Sequence, residues 1–64
     1  MTHTIEIIDG MMVVMDEDGN GYDGHLLETG LRAAKRKIQE WTREYTFDVA
    51  AAYNLLSDYY TACQ

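Results

Sequence analysis

The chain has no proline, one cysteine, and no lysine or arginine in its first 28 residues. Each scarcity excludes something. A lone Cys63 leaves no internal disulfide to staple a fold of 64 residues. The longest unbroken apolar runs, Met11 to Met15 and Val49 to Tyr53, are five residues each. A spanning helix needs ~20 such residues, and Met1-Thr2-His3 has no basic start of the secretory kind. A cytoplasmic protein is therefore expected. Two histidines and one cysteine do not make a zinc set, and no glycine-rich phosphate loop follows a strand and opens a helix. No catalytic constellation stands out, so neither an enzyme nor a cofactor is expected.

What remains is acidic and apolar. Eleven acids against five bases give a formal charge of −6, and hydrophobic residues make up 47%. That charge argues against a protein that grips nucleic acid directly, since phosphates must be neutralised by Lys and Arg. The charge is polarised along the chain. Residues 1–28 carry a net −7, residues 29–45 a net +3, and residues 46–64 a net −2. Length and composition give one domain over residues 1–64.

The N-terminal third reads as a β-hairpin. Thr4 to Ile8 and Met11 to Met15 are rich in strand formers and flank Asp9-Gly10, a pair suited to a two-residue type I′ turn. That turn predicts the register Ile8–Met11, Ile7–Met12, Glu6–Val13 and Ile5–Val14, and brings His3 opposite Asp16. One face then carries Ile5, Ile7, Met12 and Val14 and covers a core. The other carries Thr4, Glu6, Ile8, Met11, Val13 and Met15, which suits a half-exposed or docking surface. Asp16 to Gly24 reads as a turn-rich acidic loop, with room for a short third strand around Gly21 to Asp23.

The rest reads as helical. Leu27, Leu31, Ala34, Ile38, Trp41 and Tyr45 form one stripe at spacings of three and four, with Gly30 weakening its first turn. A second helix opens at Thr46 as N-cap, with Asp48 in its first turn and a stripe of Val49, Ala52, Leu56, Tyr59 and Cys63. The fold class is α+β: an N-terminal hairpin packed on two antiparallel helices. Arg32, Lys35, Arg36 and Arg43 lie away from the stripe and are expected to pair with Glu28 and Glu40. Tyr53 and Tyr60 fall off the inner stripe and are candidate contact residues.

Asp16-Glu17-Asp18-Gly19-Asn20-Gly21-Tyr22 resembles the first seven residues of an EF-hand calcium loop of the calmodulin type. That resemblance implies side-chain oxygens from Asp16, Asp18 and Asn20, a carbonyl from Tyr22 and a sharp turn at Gly21. The pattern then breaks. Asp23 stands where the family has an apolar residue, Leu27 stands where it has a bidentate Glu, and Glu28 comes one residue late. A structural turn is the first reading of this segment, and no metal site is assigned to it.

In size, charge and architecture the chain resembles small inhibitors encoded by phages and mobile elements, anti-CRISPR proteins among them. That group shares no diagnostic motif. The resemblance implies stoichiometric binding to a host defence complex, often in place of nucleic acid. The chain itself is expected to be non-catalytic, a monomer or weak homodimer, in the cytoplasm of a host bacterium. Its partner would be a defence effector with a basic nucleic-acid-binding surface. The candidate contact residues are Glu6, Asp9, Asp16, Glu17, Asp18, Tyr22, Asp23 and Glu28, acids that can imitate a row of phosphates together with one aromatic anchor. Two alternatives stand beside it: a calcium-responsive module using Asp16 to Glu28, and a small dimeric, antitoxin-like regulator acting through its helices.

Overall fold

A computed structural model describes residues 3–62. Three strands come first, β1 (His3–Ile8), β2 (Met11–Asp16) and β3 (Gly21–Leu26), joined in the antiparallel order β1-β2-β3. A 3₁₀ turn at Leu27–Thr29 leads into α1 (Leu31–Trp41), and α2 (Val49–Ala62) closes the chain. Among the described residues, no helix is long and apolar enough to cross a membrane.

The hairpin follows its turn chemistry. Asp9 and Gly10 have φ of 51° and 77°, the two left-handed positions a type I′ turn requires. The β1–β2 register runs from Ile8↔Met11 to His3↔Asp16, as the turn dictates. Ile5, Met12 and Val14 consequently point inward and are buried, while Ile7 packs against the same core.

The third strand is longer than the sequence suggests. Glycine and aspartate are poor strand formers, yet Gly21 to Leu26 pairs along β2 from Met15↔Gly21 to Met11↔Leu26. A bulge accommodates one extra residue, Tyr22, where the register shifts between Val14 and Met15. Beyond the strand, the Leu27 N–H donates to the Gly10 carbonyl at 2.9 Å, fastening the end of β3 to the hairpin turn.

The first helix starts later than its stripe implies, and the second later than its expected cap. Leu27 belongs to the 3₁₀ turn, and α1 begins only after Gly30, whose φ of 107° a side-chain-bearing residue rarely adopts. Gly30 is thus the N-cap of α1 rather than a weak point inside it. In α2 the cap is Asp48, not Thr46. Asp48 Oδ1 accepts from the Ala51 N–H at 3.1 Å, and its carbonyl accepts from the Ala52 N–H. Thr46 serves elsewhere, accepting the His3 N–H at 3.1 Å and tying the inter-helix link to β1. Cys63, the last residue of the expected second stripe, lies outside the described residues.

One cluster of buried residues unites the layers: Ile5, Met12, Val14, Leu27, Ala34, Ile38, Trp41, Phe47, Ala52 and Leu56. α1 packs on α2, on the 3₁₀ turn and on β3, and α2 packs on β1. Tyr53 and Tyr60 are not the exposed contact residues that their helical phase suggests. Both are half-buried. The Tyr53 hydroxyl accepts from the Gln39 amide, and the Tyr60 hydroxyl donates to the Leu27 carbonyl at 2.5 Å.

Candidate functional site

The eight candidate residues divide into two classes. Asp16 and Asp23 turn inward on the fold, whereas Glu6, Asp9, Glu17, Asp18 and Glu28 stand exposed. Tyr22 belongs to both, with an exposed ring and a tethered hydroxyl.

Asp16 organises the β2–β3 connection. Its Oδ1 accepts from the backbone N–H groups of Asp18 and Asn20, each at 2.9 Å. Its Oδ2 accepts from the Tyr22 hydroxyl at 2.8 Å and from the Asn20 amide at 3.3 Å. Chiefly the Asn20 N–H, and next the Tyr22 hydroxyl, hold the Asp16 carboxyl below its ordinary pKa. The same bond raises the Tyr22 hydroxyl above its ordinary value, because ionised Tyr22 would lose its acceptor and face a like charge. Tyr45 is raised chiefly by desolvation, and further by Asp23 and Glu44. Above this loop the His3 ring stands edge-on to Tyr22 and Tyr45, with centroids 5.0 and 5.1 Å away.

This geometry differs from a calcium-binding loop. Strands precede and follow the segment, Leu27 is buried, and both Asp16 oxygens are engaged within their own turn. Among the described residues, no three His, Cys, Asp or Glu side chains are grouped to hold a metal.

Asp23 has a structural task that residue type does not reveal. Opposite Val14 on β2, it reaches the inner side of the sheet, and its Oδ2 accepts from Trp41 Nε1 at 3.0 Å. The buried Trp41 indole would otherwise carry an unsatisfied N–H. Asp23 Oδ1 also accepts from the Gly24 N–H at 2.8 Å. The pairing of β3, which its residue types do not announce, sets the direction of Asp23.

The five exposed acids frame the sheet. Asp9 sits in the hairpin turn at one end, where Gly10 meets Leu27 and Glu28 follows. Glu17 and Asp18 sit in the loop at the other end, and Glu6 lies on the outward face between them. Strands of six residues separate the two ends by about 17 Å.

Among the described residues, no element covers that outward face. Across it runs an apolar row of Ile8, Met11 and Leu26, with exposures of 47, 37 and 49%. Sequence reasoning marked Ile8 and Met11 but missed Leu26, which reads as the start of a helix. Gly24 belongs to this surface as well: a Cβ there would stand 2.8 Å from Met11 Sδ, so its absence lets Met11 lie across β3.

The bases behave differently from their expected local pairing. Among the described residues, none of Arg32, Lys35, Arg36 or Arg43 makes an ion pair within 4 Å. Lys37 Nζ instead stands 5.8 Å over the Trp41 ring. Compared with known proteins, the chain matches no family model, no curated protein and no solved structure.

Proposed function

We propose that this protein is a small, non-catalytic docking protein whose acidic sheet binds a basic surface on a protein partner. In the setting that its resemblance implies, the partner is a bacterial defence effector and the occupied surface is one that otherwise holds nucleic acid. One observation carries the reading. Glu6, Asp9, Glu17, Asp18 and Glu28 frame an uncovered apolar face, with no base among residues 3–28. Acids at that spacing steer a basic partner, and Ile8, Met11 and Leu26 supply the desolvated contact that charge by itself lacks.

The acids that matter in this reading are the exposed ones. Asp16 and Asp23 position the surface by fixing its loop and its third strand. The test is competition on a purified RNA-guided nuclease or another basic phage-defence effector. Bound protein should displace DNA and should itself be released by high salt. Glu17→Lys with Asp18→Lys should abolish displacement while the far-ultraviolet circular dichroism stays unchanged. Displacement that survives both reversals at full strength overturns docking through the acidic face.

A further inference from the structure

The first two turns of α1 hold an electrostatic conflict. Arg32, Lys35 and Arg36 crowd this end of the helix, and no acid occurs between Thr29 and Gln39. The first turn of α1 has no acidic residue, Gly30 provides no capping side chain, and the bases have no ion-pair partner within the described chain. Cations at a helix N-terminus oppose the macrodipole, so this pole is positive beyond its formal charge. Beside it, Leu31 is 36% exposed and joins Arg32 and Lys35 around a shallow depression of about 390 Å³.

The open sheet is the complement of this pole. It offers apolar knobs at Ile8, Met11 and Leu26, with Glu6 at its centre and Glu17 and Asp18 at one end. The lengths agree as well: eleven residues of α1 span about 16 Å, and a six-residue strand about 17 Å. Within one chain the two surfaces cannot meet, because the helices cover the opposite face of the sheet. Two sheets meeting face to face would instead bring like charges together around Glu6.

We propose that the protein self-associates head to tail, the basic first turns of α1 in one copy seating on the open acidic sheet of the next. The apolar row enters the depression beside Leu31, and Arg32 and Arg36 reach Glu6, Glu17 and Asp18. Such a contact is heterologous, so it extends into chains or closes into rings rather than stopping at a dimer. It uses the face that a basic partner would use, so assembly and partner docking compete.

Sedimentation velocity tests this with the protein by itself. At low ionic strength the average mass should climb above 7.3 kDa as concentration rises towards millimolar. It should return to 7.3 kDa in 1 M salt, where screening acts within ~3 Å. Glu17→Gln with Asp18→Asn, and separately Arg32→Gln with Arg36→Gln, should each leave a folded monomer. Mixed in equal amounts, the two variants retain one intact surface each, so they should form a one-to-one pair that does not grow. Monomeric wild type at low salt overturns the proposal, as does association that both variants keep or a mixture that stays monomeric. None of these outcomes bears on displacement of DNA from an effector, so the two readings fail separately.

Discussion

The two faces of the sheet come from the same alternation and do opposite work. Inward, Met12 and Val14 are sealed beneath the helices; outward, Met11 and Val13 from the same strand lie on a face without cover. Neighbouring residues of near-identical hydrophobicity thus separate into a group that holds the fold and a group available for contact. The difference lies in what lies across from each, because helices are supplied to one face only. Acids follow the same division: the inward Asp16 and Asp23 are fully engaged, and the outward ones are not.

Substitutions can break this contrast from either side. The largest effect is expected at Trp41, which anchors the inner face. Trp41→Ala should cost ~3–5 kcal/mol, against a total of roughly 3–10 kcal/mol for a domain of this length, and leave little folded protein by circular dichroism. Trp41→Phe keeps most of the packing but strands the Asp23 carboxylate, and should cost about 1–3 kcal/mol in urea unfolding.

Asp16 sharpens the contrast through pH. Its folded pKa is lowered, so it adds stability above its unfolded value near ~3.9 and loses that contribution as pH falls through the folded value. The pKa of Tyr22 is raised, so its contribution is intact below ~10 and vanishes as pH climbs through its folded value. The melting temperature should therefore drop at both extremes, and Asp16→Asn should flatten both limbs. Unchanged limbs in that variant would place the titrating groups elsewhere.

The outer face should respond least in stability. Leu26→Ser is expected to shift unfolding by no more than ~0.5 kcal/mol while weakening assembly and partner docking. Gly24→Ala should be nearly as mild in stability. Its backbone conformation tolerates a side chain, and the exposed Met11 thioether can move aside. A change above ~2 kcal/mol at Leu26 would mean that the outer face supports the fold, erasing the distinction.

Which parts were legible follows from where the determining forces lie. The hairpin register was readable because a two-residue turn sets it locally. β3 was not, because Gly21, Asp23 and Gly24 have weak strand preference and pair only when β2 is there as a template. The stripe from Leu27 marked an inward face that holds at Leu27, Ala34, Ile38 and Trp41 but not at Leu31, which is exposed. It also blurred the helix start, since a 3₁₀ residue and an α-helical one can bury the same flank. Residue type picks out the acids but does not separate Asp16 and Asp23 from the exposed ones. That distinction depends on which face β3 presents and on the need of a buried indole for an acceptor.

Trp41, the one tryptophan of the chain, has a further consequence. Its ring is sealed from water, bonded to a carboxylate and overhung by an ammonium group. The molecule therefore carries a built-in optical reporter that watches the inner side of the sheet. Unfolding should move its emission to the red, while a copy or partner seated on the outer face should leave its colour unchanged. A binding event that does shift the emission must have been transmitted through β3 and Asp23.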